Sequence, residues 1–498
     1  LAQQYELIIQ ECGHGRFQWT LFFVLGMALM ADGVEVFVVG FVLPSAETDM
    51  CIPDSGSGWL GSIVYLGMMV GAFFWGGLAD KVGRKQSLLI CMSVNGFFAF
   101  LSSFVQGYGL FLVCRLLSGF GIGGALPTAF SYFSEVLARE KRGEHLSWLC
   151  MFWMIGGIYA SAMAWAIIPH YGWSFSMGSA YQFHSWRVFV IVCALPCVSA
   201  VVALTFMPES PRFLLERARS RIWNRATKGR FCGSKIDGEN ILIQDQTRHK
   251  LIMKNGRSSD ILINLGADHS LTQDASCFIM STQVYVFVPL TILEYYGLSV
   301  WFSDVIKHLQ ADEYASRVKR FNGSTIADYK FNYTLENQIH KNAVFINDSA
   351  YWIYFVNFLG TLAVLPGNIV SALLMDKIGR LTMLGGSMVL SGISCFLLWF
   401  GTSESMMVGM LCVYNGLTIS AWNSLDVVTV ELYPTDKRAT GFGFLNALCK
   451  GAAVLGNLIF GSLVGITKAI PILLASAVLV GGGLVGLRLP DTRNQVLM

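Results

Sequence analysis

Long apolar stretches separated by short polar turns make up most of this 498-residue chain. A helix needs about 20 predominantly apolar residues to cross a lipid bilayer, and twelve stretches meet that requirement. The first six cover residues 17–43, 58–80, 86–106, 109–137, 146–168 and 187–207, and the second six cover 277–303, 351–375, 381–401, 405–431, 440–463 and 469–488. The pattern therefore predicts an all-α membrane protein with twelve transmembrane spans.

The polar turns between the spans repeat half-way along the chain. The segment Gly76–Lys85 returns in altered form at residues 372–380. Four charged residues come back at one fixed offset of 296 residues: Asp80 as Asp376, Arg84 as Arg380, Glu135 as Glu431 and Arg142 as Arg438. A repeat at a constant offset indicates an internal duplication. We therefore predict two six-helix bundles related by a pseudo-two-fold axis, with a cavity at their interface.

The composition agrees with a membrane protein and argues against an enzyme. Hydrophobic residues make up 54% of the chain and charged residues only 13%, whereas soluble domains carry about a quarter charged residues. The twelve cysteines are scattered, mostly within apolar runs, and lack the spacing of metal ligands. Neither a phosphate-binding glycine loop nor the pattern of a catalytic triad occurs. We expect no catalysis, no cofactor and no metal site.

Lysine and arginine in the short loops predict the orientation, because such residues favour the cytoplasmic side. Lys81, Arg84 and Lys85 share one predicted side, whereas the loops 44–57 and 169–185 contain neither Lys nor Arg. Both termini are then cytoplasmic, and the long loop before the eighth span is lumenal. The chain is predicted to begin with a cytoplasmic N-terminal remnant (1–16) and an N-terminal bundle (17–211). A cytoplasmic linker (212–276) then leads to a C-terminal bundle (277–498), which contains a shortened lumenal loop (304–350).

Three glycosylation sequons support that orientation. They begin at Asn322, Asn332 and Asn347, all within loop 304–350. Sequons are modified on the lumenal or extracellular side. Because Leu1 is not an initiator methionine, we also expect the chain to be a trimmed form of a longer one.

Two carboxylates within the first span are candidates for ion coupling. Asp32 and Glu35 are three residues apart, so they share a helix face. A carboxylate inside the membrane is costly unless it faces a cavity or a partner. Two of them in a poorly hydrated cavity suit a proton-binding site. The alternative is a pair held by hydrogen bonds to neighbouring helices, with no change of protonation during function.

Charged and aromatic residues in other spans predict a gate and a pocket. Ion pairs at the cytoplasmic span ends are expected to close a gate, and they involve the repeated residues Asp80, Arg84, Glu135, Arg142, Asp376, Arg380, Glu431 and Arg438. Asp426 and Lys450 lie near mid-span, where opposite charges pair or bracket a polar ligand. Aromatic residues occur at matching depths, namely Trp153, Tyr295, Tyr296 and Trp422. These aromatic side chains could serve helix packing, or they could line a pocket between the two halves; the sequence leaves both alternatives open.

The repeated turns and the segment Pro208–Arg212 resemble the signature of the major facilitator superfamily, above all its sugar porters and organic ion transporters. Longer segments resemble the synaptic vesicle glycoprotein 2 family, and residues 17–215 and 351–498 are most similar to its C paralogue. The strings that carry this resemblance are MADGVEVF from Met30, HLSWLCMFW from His145, WNSLD from Trp422 and FLNALCK from Phe444.

The resemblance implies a glycoprotein of synaptic and secretory vesicle membranes that promotes Ca-triggered exocytosis. It also implies three kinds of partner: synaptotagmin, racetam-type antiepileptic ligands and botulinum neurotoxin. No nucleic acid is expected as a partner. By motif, the racetam pocket would use Trp153, Tyr295, Tyr296, Ile419, Trp422, Asp426 and Lys450. A working proton-coupled transporter of a sugar or small organic ion remains the alternative function.

This chain departs from the family in three places. The family carries a lumenal β-solenoid of pentapeptide repeats between spans 7 and 8. Here only residues 331–340 resemble its beginning, and no five-residue periodicity follows before Tyr351. The linker 216–276 and the start of span 7 also match poorly. The cytoplasmic region through which the family binds synaptotagmin is not found ahead of Leu1.

The short lumenal loop predicts weakened toxin binding. Fewer than about 40 residues rarely fold alone without disulfides or metals, and no cysteine lies between Trp301 and Tyr351. We expect residues 310–348 to form a flexible, glycosylatable loop. A botulinum neurotoxin receptor-binding domain should therefore bind this chain weakly or not at all in a pull-down or surface-plasmon assay. Tight binding would mean that the loop retains the epitope.

Overall fold

The computed structural model describes most of both predicted bundles. The described residues are 9–10, 15–50, 54–138, 142–169, 175–177, 181–215, 217, 352, 354–398, 400, 404–432, 438–463 and 469–487. The predicted seventh span 277–303, the loop 304–350 with its three sequons, and nearly all of the linker 212–276 lie outside them.

Helices occupy the six predicted spans of the first half. Apolar side chains make these segments stable in lipid, and a helix satisfies every backbone polar group within the segment itself. Their bounds are α1 Arg16–Asp49, α2 Asp54–Val82, α3 Arg84–Ser102, α4 Tyr108–Ile122, α5 Ala125–Ser134, α6 Arg142–Ile167, α7 Ser185–Cys193 and α8 Leu195–Thr205.

Five helical segments of the second half correspond to predicted spans 8 to 12. Residues 354–362 are helical and lead into the first of these helices. The bounds are α9 Val364–Ile378, α10 Arg380–Leu398, α11 Glu404–Leu432, α12 Arg438–Leu463 and α13 Ala469–Gly486. Within the described residues, eight spans are long and apolar enough to cross a membrane by length and composition.

Two predicted spans of the first half are interrupted, each at a recognisable sequence feature. The fourth span divides into α4 and α5 at Gly123 and Gly124. A Cβ on Gly123 would lie 2.4 Å from the Met68 carbonyl oxygen, so these glycines let α2 approach closely. The sixth span divides at Ala194, just before α8, whose second residue is Pro196. Proline is favoured in the first turn of a helix, because the backbone N–H that it lacks would have no intrahelical acceptor at that position.

One small element in the described residues is not helical. Strands β1 (Phe175–Met177) and β2 (Tyr181–Phe183) pair antiparallel, with Ser176 opposite Gln182. They lie in the loop between the fifth and sixth spans, on the predicted lumenal side. Over the described residues, the helices otherwise follow the predicted apolar stretches.

The two halves meet through two symmetric helix pairs. Helix α12 packs along α2, and α9 packs along α6. Exchanging the halves maps span 2 onto span 8 and span 11 onto span 5, so each pair is the counterpart of the other. This arrangement supports the pseudo-two-fold symmetry inferred from the 296-residue offset.

Large apolar side chains cover the outside of the bundle. Phe73, Phe97, Leu110 and Phe206 are all at least half exposed. A soluble protein rarely exposes contiguous apolar patches of this kind. A surface in contact with lipid tails accounts for them.

The turn between α2 and α3 depends on a left-handed glycine. Gly83 has φ 127°, and a Cβ placed on it would lie 2.5 Å from Glu209 Oε2. Glu209 accepts hydrogen bonds from the backbone N–H of Arg84 and of Lys85, at 2.9 and 3.0 Å. Its carboxylate therefore caps the positive N-terminus of α3. The repeat of this turn has Gly379 at φ 106°.

Replacing Gly83 by Ala should destabilise the first half, because the new methyl group meets the capping carboxylate in a disfavoured backbone conformation. Strain of this kind costs about 1–3 kcal/mol. The Gly83→Ala variant should melt at a lower temperature than the parent chain in detergent, as measured by tryptophan fluorescence. The Gly386→Ala variant is the matched control, because a Cβ on Gly386 meets open space. Equal melting temperatures for parent and Gly83→Ala would contradict this account.

Candidate functional site

A buried charged cluster joins the two halves at the predicted cytoplasmic end. Glu135 accepts from Arg84, with Nη2 at 3.0 Å and Nε at 3.1 Å. The Ser210 hydroxyl donates to the other carboxylate oxygen. Arg438, which begins α12 in the second half, has its Nη1 3.8 Å from Glu135 Oε1. One carboxylate thus connects the turn after α2, the segment after α8, and the opposite bundle.

Asp80 makes a second connection between the halves. Its Oδ2 accepts from the Thr440 backbone N–H and hydroxyl, both at 2.7 Å, in the first turn of α12. Its Oδ1 lies 3.2 Å from Arg84 Nη2. A negative carboxylate is favoured at a helix N-terminus. The close approach is possible because Gly76 faces Gly443, where a Cβ on one would lie 3.1 Å from the Cα of the other.

The other predicted gating residues are only partly visible in these contacts. Arg142 is buried and donates to the Leu137 carbonyl oxygen at 3.1 Å. Arg380 is also buried. The side chains of Asp376 and Glu431 lie outside those that the structure describes. A gating role for all eight residues stays a prediction.

Asp32 and Glu35 do not share one site, although they are one helical turn apart. Asp32 Oδ2 accepts from the indole N–H of Trp153 at 2.8 Å and lines the central cavity. Glu35 Oε1 instead accepts from Arg115 Nη1 at 2.8 Å and from the Ser118 hydroxyl at 2.7 Å. Glu35 is thus held in a buried ion pair with α4, whereas Asp32 lies at the cavity; a role of either carboxylate in ion coupling stays a prediction.

The Glu35–Arg115 pair belongs to a larger buried polar network. Both side chains are at most 6% exposed. The second Arg115 nitrogen donates to the Ser102 hydroxyl at 3.0 Å. Ser118 also lies 2.7 Å from the Asn95 side-chain oxygen. The network connects α1, α3 and α4, so it holds the first half together.

A cavity lies between the halves, at the level of Asp32. It encloses about 770 Å³ of empty space, including the part that opens to solvent. Two tryptophans face it from opposite halves, Trp153 on α6 and Trp422 on α11. The charged side chains that line it are Asp32, Asp426 and Lys450. Lys450 thus shares the cavity with two carboxylates of opposite charge.

Further contacts fix these side chains in place. The Cys150 thiol lies 3.9 Å from Asp426 Oδ2, and the Trp153 ring lies 5.8 Å from that of Phe37. Lys450 Nζ is 6.0 Å from the centre of the Tyr65 ring. The result is a cavity with aromatic and apolar walls and a few polar groups, as is typical of small-molecule sites.

Four of the seven predicted ligand residues line this cavity: Trp153, Trp422, Asp426 and Lys450. Ile419 lies behind the wall, where it packs in an apolar cluster with Met154 and both tryptophans. Tyr295 and Tyr296 belong to the predicted seventh span and lie outside the described residues. The structure thus brings together the aromatic and charged residues that the sequence had placed at similar depths.

Several important residues were not assigned roles from the sequence. Arg115 is the partner of Glu35, and a charge inside a span signals the need for such a partner. Glu209 caps the helix that follows the repeated turn, and Thr440 donates hydrogen bonds to Asp80 within that turn. Both residues are distant from the turn in sequence, so no short-range pattern connects them to it. Cys150, Cys449 and Asn446 also line the cavity, and their apolar surroundings in sequence gave no signal of this.

Two family profiles match the chain. The profile described as "Sugar (and other) transporter" matches residues 15–267. The profile described as "SV2A/B/C luminal domain" matches residues 319–359.

Curated relatives match over the whole chain. The chain is 66% identical to synaptic vesicle glycoprotein 2C of Mus musculus and 54% identical to synaptic vesicle glycoprotein 2A of Homo sapiens. These alignments cover all of the chain, with 82% and 80% of the respective relatives. The first alignment spans 602 positions against 498 residues here. Part of the relative therefore has no counterpart in this chain.

Solved structures support the fold. The chain superposes on the proton:xylose symporter XylE bound to 6-bromo-6-deoxy-D-glucose with a TM-score of 0.65, at 15% identity, over 97% of this chain and 98% of that one. The partially occluded inward-open form of XylE from E. coli gives 0.63, at 15% identity, over 97% and 100%. At this identity the likeness concerns the fold alone.

Removing one partner of the Glu35–Arg115 pair should strongly destabilise the chain. An uncompensated buried charge costs about 3–5 kcal/mol. The Arg115→Met variant should therefore give a lower melting temperature and less monodisperse protein in size-exclusion chromatography. The double variant Glu35→Leu/Arg115→Met removes both charges and should recover much of the loss. A single variant as stable as the parent chain would show that the pair is not structural.

Proposed function

The chain belongs to the synaptic vesicle glycoprotein 2 family of the major facilitator superfamily, and we propose that it regulates Ca-triggered exocytosis and binds racetam-type ligands. It is a vesicle membrane protein with a transporter fold, as its relatives' names and its helical architecture indicate. The proposal adds that the central cavity is a ligand site rather than a packing defect.

The pair of facing tryptophans is the observation that carries the ligand proposal. Trp153 and Trp422 come from different halves and face one cavity. Flat aromatic walls suit a small ring, and their burial of apolar surface contributes most of the binding in such sites. A neutral amide placed between them reaches Asp426, which accepts a hydrogen bond from the amide N–H. Lys450 lines the same cavity, and in this proposal its ammonium group donates a hydrogen bond to the amide oxygen.

Rigid neighbours prepare the two walls for that ligand. The indole N–H of Trp153 is already held by Asp32 at 2.8 Å. Trp422 packs on Met154, Val364 and Ile419 in one apolar cluster. Side chains fixed before binding lose little conformational entropy when the ligand arrives. This preorganisation favours a specific small molecule over a loosely held one.

The regulatory part of the proposal rests on the family resemblance. Synaptotagmin is the partner that this resemblance implies, and the cytoplasmic side is where it would bind. Botulinum neurotoxin is implied as a lumenal partner, with weakened binding here. Expression of this chain in neurons lacking the family tests the regulatory part. Restored evoked release supports it, and unchanged release speaks against it.

Proton-coupled transport of a sugar or small organic ion is the second candidate. Asp32 favours it, because this carboxylate lies in the cavity with only one cation, Lys450, among the named lining residues. Glu35 is less suited, since its oxygen is held by Arg115 and Ser118. Uptake into proteoliposomes across a hexose and organic-ion panel, with and without a proton gradient, tests this function. Gradient-driven uptake that Asp32→Asn abolishes would establish transport.

Replacing Trp422 by Ala should remove one aromatic wall and most racetam binding. Loss of such an anchor typically costs at least about 2 kcal/mol, or about a thirtyfold rise in Kd. Saturation binding of a tritiated racetam to membranes measures it, with expression checked by immunoblot.

The matched control is Trp59→Ala, because Trp59 is 55% exposed on the outer surface. That variant should bind the racetam with the affinity of the parent chain. If Trp422→Ala also retained the parent affinity at equal expression, the pocket between the tryptophans would be ruled out as the racetam site.

A further inference from the structure

Two buried polar residues in the contact between α2 and α12 lack hydrogen-bond partners. Ser62 is 1% exposed and Asn457 is 2% exposed. Among the described residues, the Ser62 hydroxyl and both polar atoms of the Asn457 amide have no partner. Buried polar groups in native proteins are nearly always hydrogen-bonded, and an unexplained one indicates an occupant such as water or a ligand.

The packing of the two helices brings these residues to the same level. Gly76 meets Gly443, the Phe73 and Phe444 rings lie 6.2 Å apart, and Met69 Sδ lies 3.2 Å from where a Cβ on Gly451 would be. The two helices run antiparallel, so a step towards lower residue numbers on α2 is matched by an equal step towards higher numbers on α12. Ser62 precedes Gly76 by 14 residues, and Asn457 follows Gly443 by 14 residues. Fourteen residues are about four helical turns, so both return to the facing side.

The symmetric helix contact is closed at this level. Asn457 corresponds to Ser161 through the 296-residue offset. The Ser161 hydroxyl lies 2.9 Å from that of Thr361 in the facing helix. Beside them the rings of Trp165 and Phe358 stack at 6.1 Å. In that contact the Ser161 and Thr361 hydroxyls pair directly, whereas, among the described residues, the Ser62 hydroxyl and the Asn457 amide have no hydrogen-bond partner.

The unpaired groups lie between the central cavity and the predicted lumenal end. Asn457 follows Lys450 by two helical turns on the same face of α12, a rise of about 10 Å. Tyr65 lies between these levels, 6.0 Å from Lys450 Nζ. Next to Ser62, a Cβ on Gly61 would meet nothing within 4 Å. Polar side chains thus continue from the cavity along the α2–α12 contact.

We propose that Ser62 and Asn457 form a second polar subsite, which binds an uncharged hydroxyl or amide group of a solute passing between the cavity and the predicted lumenal end. Asn457 offers one donor group and one acceptor, and Ser62 offers a hydroxyl that does either. Neither side chain carries a charge that would compensate an ion. The proposal rests on the proposed function, in that the cavity binds a small molecule.

Cysteine labelling tests the subsite without relying on racetam binding. Ser62→Cys and Asn457→Cys, in proteoliposomes, should react with a water-soluble methanethiosulfonate well above the background of the parent chain. Leu455→Cys is the matched control on α12, since Leu455 is 55% exposed towards lipid. Acetamide or a hexose at high concentration should slow labelling of the first two variants. Labelling no faster than that of Leu455→Cys overturns the proposal. Labelling that neither solute slows indicates water only and also overturns it.

The rates of racetam association and dissociation provide a second test of the subsite. Asn457→Leu keeps the branched side-chain skeleton but replaces both polar atoms by methyl groups. If the subsite lies on the route, this variant should slow racetam association and dissociation by similar factors, with Kd unchanged. Unchanged rates with a raised melting temperature would mean a structural position and would overturn the proposal. Absence of racetam binding to the parent chain would refute the proposed function, while the labelling result would still stand.

Discussion

The buried carboxylate of Glu135 pairs with Arg84 within the first half, and among the described residues it is the one carboxylate in this cluster near which charges of both halves lie. Two charges removed from water must be paired and hydrogen-bonded, because an unpaired one is strongly destabilising. Glu135 meets this requirement with Arg84, Ser210 and, at 3.8 Å, Arg438 of the opposite half. Any separation of the bundles at this end has to rearrange these charges. The cluster therefore links the position of α12 to that of the first half.

The cavity follows from how the halves are held. The Asp80–Thr440 hydrogen bonds fix α12 against α2 at one end, and Ser161 and Thr361 join α6 to its partner helix nearer the other end. Between those two contacts the helices separate enough to leave space lined by Trp153 and Trp422. Of the charged groups in this space, Asp32 accepts a hydrogen bond from the indole N–H of Trp153. The proposed ligand site thus lies between the same helix contacts that join the two halves.

Much of the fold could be predicted because membrane spans need a length of apolar sequence that few other structures need. The duplication was visible because Asp80 and Glu135 recur at one offset. The tryptophans and Asp426 were found from their depth within the spans. The partner of Glu35 was not found, because the helical spacing pointed to Asp32, whereas the true partner Arg115 is 80 residues away. Contacts of that separation depend on how helices pack, which local periodicity does not encode.

The most direct measurement is a cryo-electron microscopy map of this chain with a racetam bound, supported by an antibody fragment for alignment. The account predicts ring-shaped density between Trp153 and Trp422, with the amide within hydrogen-bonding distance of Asp426. The Arg84–Glu135 and Asp80–Thr440 contacts should be intact in the same map. Ligand density outside this cavity, or an empty cavity at saturating racetam, would contradict it.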